Sequence, residues 1–565
     1  MTTQNLLVEL FVEELPPKAL KRLGEAFAEL IRQRLGGYGL LLADSVVTAY
    51  ASPRRLAAHI THVASKDADA VLTQKVLPTK VGMDAHQKPS DALKKKLASF
   101  GLPADMERLV ASYQPPAVLE PVQTAEARMP LQQLFSAMDG NVEMLFYKRR
   151  VPGKTLADGL QQALSDVVNN LPIPKLMTYQ LADGWSDVKF VRPAHGLVAL
   201  HGSAVVPVEM LGLKAGNTTH GHRFEALQDP ITLPDADSYA DKLLQEGAVI
   251  ASFAQRRAEI VRQLAAAAAK VGGGVRPIDD AALLDEVTAL VERPNVLVCS
   301  FERAFLEVPQ ECLILTMKAN QKYFPLLDAQ GKLTHQFLVV SNISPQDPSA
   351  VIGGNERVIR PRLADAKFFY DQDRKKTLAS RAEGLAKVVY HNKLGSQAER
   401  AERVRDIAHA ITEQLRAAAT PYTAQARSEF DMLAFKAEQA ARLAKADLLT
   451  DMVGEFPELQ GIMGGYYARH EGLRDGVAIA IEDHYKPRFA GDSLPRNHTG
   501  LVVALADKLE TLVGMFGIGN LPTGDRDPFA LRRHALGVIR ILMEKSLPLS
   551  LDTLLASAVP VFGAL

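Results

Sequence analysis

The chain contains 565 residues, which is too many for one ordinary hydrophobic core. Of these residues 47% are hydrophobic and 23% are charged, a composition typical of a folded globular protein. Lys plus Arg and Asp plus Glu both number 65, so no overall positive field attracts nucleic acid or anionic membranes. Any RNA contact must therefore come from local patches of charge.

Simple patterns argue against a leader peptide, a membrane span and a disulfide framework. The N-terminus carries Glu9, Glu13 and Glu14 in place of a basic start, and no uninterrupted apolar run of about 18 residues occurs. Cys299 and Cys312 are too few and too far apart for a disulfide framework or a CxxC metal site. We therefore predict a cytoplasmic protein without membrane association.

The first predicted elements form a β-α-β-β unit. An apolar run over 6–11 predicts a strand, and the spacing of apolar residues over 19–35 predicts a helix. Residues 45–51 and 56–63 predict two strands joined by a turn, an order typical of α+β domains. The Pro-, Gln- and charge-rich stretch 102–129 indicates a looser connection.

Strand signals continue to about residue 350 and then stop. Short apolar runs separated by Pro and Gly predict a strand-rich module over 190–224. Residues 235–271 predict a long helix or a helical pair, 283–292 a short helix, and 323–343 a hairpin. Helical periodicity dominates beyond about 351, so the C-terminal third is predicted to be all-α.

A series of short motifs, each weak alone, runs along the chain. The most informative is 445–464, which combines a helix, a stop and a polar turn. The others are 7–15 (LVELFVEEL), 52–56 (SPRRL), 190–193 (FVRP), 220–224 (HGHRF), 284–288 (LDEVT), 317–324 (MKANQKYF), 354–358 (GNERV), 362–370 (RLADAKFFY), 391–396 (HNKLGS), 506–508 (ADK) and 522–533 (PTGDRDPFALRR). In this order they resemble the beta subunit family of bacterial two-subunit glycyl-tRNA synthetases, although 107–141 and 175–179 match that pattern poorly.

This resemblance implies an assembly of two alpha and two beta chains. Glycine and ATP would be activated, with Mg²⁺, on the alpha subunit. The present chain, with no catalytic residue, cofactor or metal of its own, would bind and position tRNA(Gly). In agreement, the sequence has no GxxxxGK[ST] loop and no GxGxxG motif after a strand.

The fold expected from these patterns and the resemblance is multidomain, with an α+β N-terminal two-thirds and an all-α, HD-like C-terminal domain. The predicted segments are an N-terminal α+β domain (1–175), a second α+β strand-rich module (176–350), a helical linker (351–390), the HD-like domain (391–550) and the start of a helical anticodon-binding domain (551–565). Because the family continues into that last domain, we expect the sequence to be truncated or naturally shortened.

A basic and aromatic segment on the predicted linker is the candidate tRNA-binding surface. Its residues offer cations for phosphates and rings for stacking. They are Arg357, Arg360, Arg362, Lys367, Phe369 and Arg374. The alternative is a connecting helix with a solvated cationic face and aromatic side chains docked on a neighbour.

The C-terminal third also resembles the HD phosphohydrolases, in which an early His, a His-Asp pair and a late Asp bind metal ions. The matching positions are His391, Asp447 and Asp507, but Ala446 replaces the His of the pair and Lys445 precedes it. Loss of an imidazole and gain of an ammonium both weaken divalent-metal binding. We therefore predict a vestigial pocket without a metal.

The sequence alone does not determine what surrounds Asp447 and Asp507. Asp507 lies opposite the apolar stripe of its helix, so solvent exposure is possible, whereas Asp447 lies beside a stripe and needs a partner. An ion pair, a backbone amide or a ligand would serve Asp447. The alternative functions are a metal-dependent HD-type phosphohydrolase acting on nucleotides or RNA, and an RNA-binding scaffold without an alpha partner.

A second cluster of polar side chains occurs in the HGHRF motif. His220, His222 and Arg223 surround a glycine, a mixture suited to a phosphate or a metal. Two His at this spacing, without a nearby Cys or acid pair, are a weak metal signal. We favour a hydrogen-bonded turn that supports a strand.

Overall fold

The computed structural model of the chain describes residues 2–84, 86, 88–100, 109, 111, 113–116, 118–419 and 423–563. These residues form two compact units. The first comprises Met1–Gln263, Asp280–Val296 and Val340–Pro345, and the second comprises Leu264–Asp279, Leu297–Val339 and Gln346–Leu565. The finer division into five segments stays a prediction.

The elements that lie wholly or mostly in the first unit are strands of up to 10 residues and helices of up to 21 residues. The strands are β1 Thr3–Val12, β2 Val47–Ser52, β3 Arg55–Ala64, β4 Ala70–Pro78, β5 Gln133–Asp139, β6 Val142–Val151, β7 Met177–Gln180, β8 Asp187–Phe190, β9 Ala194–His201, β10 Ala204–Val205, β11 Glu209–Met210, β12 Leu213–Lys214, β13 Thr218–Thr219 and β14 Ile231–Thr232. The helices are α1 Pro17–Gly37, α2 Thr79–Gly82, α3 Asp91–Ala98, α4 Val122–Arg128, α5 Leu156–Asn170, α6 Tyr239–Gln245, α7 Phe253–Val271 and α8 Ala281–Thr288.

An antiparallel sheet of order β10-β9-β1-β3-β2 forms the centre of this unit. Its middle strand β1 is buried on both faces, which explains its nearly continuous apolar run. Leu6, Val8 and Leu10 pack in the cluster that includes α1, while Leu7 packs with Tyr239 of α6 on the other face. Because side chains alternate along a strand, Glu9 shares the buried face of Leu7.

The second unit is mainly helical. Its helices are α9 Gln310–Gln321, α10 Ser349–Asp373, α11 Leu378–Ala382, α12 Gln397–Ala418, α13 Ala424–Leu443, α14 Asp451–Glu455, α15 Ile462–His470, α16 Asp475–Asp483, α17 His498–Gly517, α18 Leu531–Glu544 and α19 Leu551–Ala558. Its strands are β15 Arg276–Pro277, β16 Asn295–Ser300, β17 Phe324–Leu327, β18 Leu333–Ser341, β19 Val389–His391 and β20 Gly395–Ser396. Helix α17 packs against α12, α13, α16, α18 and α19 and is buried along most of its length.

The main predicted elements are confirmed, with one correction. The β-α-β-β opening, the helical pair α6 and α7, and the hairpin of β17 and β18 occur where the patterns placed them. The C-terminal third, however, is not all-α, because β19 and β20 form a small antiparallel hairpin. Strands of two or three residues are too short to show periodicity. Gly395, with φ +82°, begins the second of these strands.

Three further predictions concern the stretch 102–129, the two cysteines and membrane spans. In the predicted loose connection over 102–129, residues 102–108, 110, 112 and 117 lie outside the described residues, and α4 lies near its end. Cys299 and Cys312 are both buried and free. Within the described ranges, no helix has the length and apolar character needed to cross a membrane.

Candidate functional site

Three of the predicted RNA-binding cations form one stripe on α10 and its C-terminal end. Arg360, Lys367 and Arg374 are spaced by seven residues, which is close to two helical turns. Their acidic partners are Glu302 for Arg360, Glu307 (3.1 Å) and Asp371 (3.2 Å) for Lys367, and Asp371 (2.8 Å) for Arg374. Such largely exposed pairs add little stability, and they reduce the charge offered to a phosphate.

The other candidates on α10 differ in exposure. Arg357 and Arg362 are exposed and form no ion pair with another described residue. Phe369 packs against the core of the second unit, and the exposed ring is that of its neighbour Phe368, which is 58% exposed. The free cations and the free ring of this helix are therefore Arg357, Arg362 and Phe368.

In the region predicted to be HD-like, Asp447 binds the start of helix α15. Its Oδ2 accepts hydrogen bonds from the backbone N–H groups of Gly461 (2.6 Å) and Gly464 (3.0 Å). A carboxylate in this position satisfies the free donors of a helix and favours its dipole. Gly461 has φ +83°, and a Cβ on Gly464 would lie 2.7 Å from Ile481. Asp447 thus has a structural role, while the φ of Gly461 and the approach of Ile481 to Gly464 explain why glycine occupies both positions.

Burial has a measurable consequence for Asp447. It raises the pKa of the carboxyl group to about 6, despite the two backbone hydrogen bonds, and Oδ1 has no hydrogen-bond partner among the described residues. In an unfolded chain the pKa is about 4. A raised pKa contributes stability below about pH 4 that is lost as the pH rises through about 6.

We therefore predict a pH-dependent effect of Asp447→Asn. The free energy of unfolding of the parent minus that of the variant should fall by about 2 kcal/mol between pH 4 and pH 6.5. Urea denaturation at half-unit pH steps measures this difference. Asp451→Asn, which removes a carboxylate at an exposed position on α14, is the control. A constant difference for Asp447→Asn would contradict the prediction.

Asp507 belongs to a buried chain of alternating charges and is not solvent-exposed, so that possibility is wrong. Its carboxylate is 2% exposed and lies 3.0 Å from Arg400 and 3.1 Å from Lys445. Arg400 also pairs with Glu510 (3.0 Å), which pairs with Arg403 (2.9 Å). Burial alone would raise the pKa of Asp507, but Arg400 and Lys445 hold it below its usual value.

The chain of charges ends at His484, a residue that no sequence motif singled out. Lys445 Nζ lies 2.9 Å from His484 Nε2, and His484 Nδ1 donates to the carbonyl of Ile481 (2.6 Å). The imidazole is therefore neutral and accepts from the ammonium. Burial, followed by the charge of Lys445, holds the pKa of His484 well below its usual value. Burial also lowers the pKa of Lys445 to about 8.

His391 lies apart from this chain of charges. Its Nδ1 accepts from the backbone N–H of Lys393 (3.1 Å), and its ring centre lies 5.8 Å from that of Phe529. Among the described residues, it forms no hydrogen bond or ion pair with Asp447 or Asp507. Within the described residues, the three predicted HD positions do not form a group suited to a metal ion.

The donors that would suit a metal are already occupied in this region. The ammonium of Lys445 takes the free nitrogen of His484 and an oxygen of Asp507, and the backbone takes one oxygen of Asp447. A buried ammonium also repels a divalent ion. No group of three or more His, Cys, Asp or Glu side chains suited to a metal occurs in the described part of the chain. These residues therefore do not fit a bound metal ion.

The HGHRF motif forms a hydrogen-bonded turn in the first unit, as predicted. His222 is buried, and its Nε2 donates to the carbonyl of Asn342 (2.7 Å). His220 Nδ1 lies 2.8 Å from Asp229. The two imidazoles therefore have separate partners, and Arg223 extends to Glu13 (2.8 Å) and Glu14 (3.2 Å).

The first unit combines strands and helices, and the second is mainly helical with paired charges inside it. The chain is therefore a mixed α/β protein of more than one unit. Its described residues show no metal centre. The model of the family described as "Glycyl-tRNA synthetase beta subunit" matches residues 6–564. The chain belongs to this family.

Similar proteins carry the corresponding name. The "Glycine--tRNA ligase beta subunit" of Leptothrix cholodnii is 68% identical over 565 residues, which is 100% of this chain and 76% of that protein. The protein of the same name from Acidovorax ebreus is 68% identical, with 100% and 76% covered, and that from Thiobacillus denitrificans is 62% identical, with 100% and 75% covered. These names describe a ligase subunit.

Proposed function

We propose that this chain is a beta subunit of glycine–tRNA ligase that binds tRNA(Gly) and positions it for ATP-dependent glycylation on a separate alpha subunit. The observation that carries the proposal is the family match over residues 6–564. The proposed assembly contains two alpha and two beta chains and works in the cytoplasm. ATP and Mg²⁺ are used on the alpha subunit, and this chain supplies binding groups without bond-making residues.

The exposed side of α10 provides a surface for the RNA. Arg357 and Arg362 are free to contact phosphates, and the ring of Phe368 is available to stack. Holding the tRNA in a fixed orientation converts a bimolecular encounter into an oriented step, which accounts for large rate effects.

The chain of buried charges argues against the alternative of an HD-type phosphohydrolase. Such an enzyme needs open donors for the metal that activates water. Here Asp507 and His484 are engaged by Lys445, and Asp447 binds the start of α15. We therefore interpret this region as a support for the helical unit.

The direct test is glycylation of tRNA with radiolabelled glycine by this chain, by an alpha subunit from a close relative, and by their mixture. Activity is expected in the mixture alone, because the alpha subunit supplies the chemistry and this chain supplies the tRNA surface. Activity of this chain alone would contradict the proposal. Lack of activity in the mixture together with lack of tRNA binding by this chain would also contradict it.

Measurement of tRNA binding by the double variant Arg357→Glu/Arg362→Glu tests the location of the tRNA surface. Because the variant lacks two phosphate-binding cations, it should bind tRNA more weakly, and the slope of log affinity against log salt should fall by about one to two. Amino-acid activation by the alpha subunit should not change. Lys332→Glu, an exposed cation on another loop of the same unit, is the control. An unchanged salt slope would show that α10 does not contact the RNA.

A further inference from the structure

A cavity of about 470 Å³ lies in the first unit beside the HGHRF motif. This volume falls in the range of small-molecule sites, roughly 300–1,000 Å³. Its lining combines an exposed aromatic ring with charged groups, namely Glu14, Arg54, Arg192, Arg223 and Phe224. We call it the Phe224 cavity. None of these groups belongs to the tRNA surface proposed on α10.

The ring of Phe224 is exposed, yet its backbone is held firmly. Phe224 is 82% exposed, so its ring is open to a stacking partner. The buried ring of His222 accepts at Nδ1 from the backbone N–H groups of Phe224 and Glu225, both at 3.2 Å. Since its Nε2 donates to Asn342, the tautomer is fixed. The backbone that carries the ring is therefore ordered before a ligand binds.

Arg192 places an unpaired cation at the same cavity. Its Nε donates to the carbonyl of Glu14 (2.9 Å) and its Nη1 to the carbonyl of Val191 (3.0 Å). Among the described residues, no carboxylate pairs with Arg192 and none of the hydrogen bonds uses Nη2. The guanidinium is therefore oriented by the backbone while its remaining donors stay available for an anion.

The other charges of the cavity are balanced. Arg54 donates from the inner wall to Gly221 (2.7 Å) and Glu292 (3.2 Å). Arg223 is held by Glu13 and Glu14. The cavity thus offers one free positive charge, one free ring face, and carboxylate oxygens that can accept from amino groups.

We propose that the Phe224 cavity binds one unpaired nucleotide of an RNA, with the base stacked on Phe224 and a phosphate bound by Arg192. Single-stranded RNA is recognised by stacking on aromatic rings together with phosphate contacts. A purely apolar protein partner would leave Arg192 and the carboxylates without compensation. This inference rests on the proposed function, because it adds a second RNA contact to a tRNA-binding chain.

The test uses the full chain and a fluorescein-labelled adenosine hexaribonucleotide, with binding followed by fluorescence anisotropy. Phe224→Ala should weaken binding about 5- to 100-fold, the range expected when one stacked base is lost. Phe224→Trp should retain most of the affinity, whereas Phe224→Leu, which keeps apolar bulk without a π face, should behave like alanine. Arg192→Gln should reduce the salt dependence of binding, and the Phe224 variants should not.

Leu227→Ala is the matched control, since Leu227 is 84% exposed in the same loop but has no ring. Circular dichroism verifies that each variant is folded. The inference is overturned if the hexamer does not bind the parent chain, if Phe224→Ala binds it as well as Leu227→Ala does, or if Phe224→Leu retains the affinity of Phe224→Trp. Binding of whole tRNA by the parent chain separates these results from a failure of the proposed function.

Discussion

Replacing Asp507 with alanine is expected to lower the free energy of unfolding of the helical unit by about 3–5 kcal/mol. The substitution removes the shared partner of Arg400 and Lys445, whose side chains are almost completely buried. Lys445 then remains in a poorly solvated region without its carboxylate, while Arg400 keeps Glu510, and that cost exceeds the original benefit of the pairs. Urea denaturation followed by far-UV circular dichroism measures the change.

Two further variants test this explanation. Asp406→Ala removes a more exposed partner, that of Arg405 on α12, and should cost at most about 1 kcal/mol. Lys445→Met added to Asp507→Ala removes one stranded cation and should recover part of the lost stability. Equal effects of Asp507→Ala and Asp406→Ala would contradict a structural role for the buried charges.

Glu9→Ala is expected to have a similarly large effect in the first unit, about 3–5 kcal/mol. Glu9 is 1% exposed and accepts from the hydroxyl groups of Thr219 and Tyr239. It also lies 3.8 Å from the fully buried Arg55. The variant leaves both hydroxyls without their acceptor, and Arg55 keeps Glu292, at 3.4 Å, and the carbonyl of His220, at 3.0 Å.

Gln4→Ala provides the control for this prediction because Gln4 lies on the same strand but is exposed. We expect it to change stability by less than about 0.5 kcal/mol. Glu9→Gln, which keeps the shape and one acceptor oxygen, should fall between the two. A small effect of Glu9→Ala would show that the hydroxyls and Arg55 find other partners.

The sequence predicted the elements better than the sites. Apolar periodicity was sufficient to predict β1, α1 and the helical character of the C-terminal third. The pattern of apolar residues follows from which faces of an element are buried. Periodicity also placed Asp507 opposite the apolar stripe of its helix and did not decide whether this side chain faces solvent. The surrounding helices bury that side as well, and its partner Arg400 lies 107 residues away along the chain. A contact over such a separation leaves no local signal.

The candidate residues show the same limit. Asp447 was correctly expected to need a partner, and a backbone amide was among those considered. His484 carried no spacing or motif that would have selected it. On α10, composition selected the cations without their partners, and Glu302 and Glu307, which lie on another segment, pair with two of them. The HGHRF motif indicated a turn, but not the exposure of Phe224.

Because the charges along α17 are buried, we expect salt to affect RNA binding and the stability of the helical unit differently. Mobile ions screen charges that face water over about 8–10 Å at 0.1–0.15 M salt, but they do not enter the interior where Asp507 and Glu510 meet their partners. RNA held by exposed arginines is released as salt rises, because counterions return to the phosphates. A concentrated salt wash should therefore strip bound RNA from the purified chain while the helical unit stays folded.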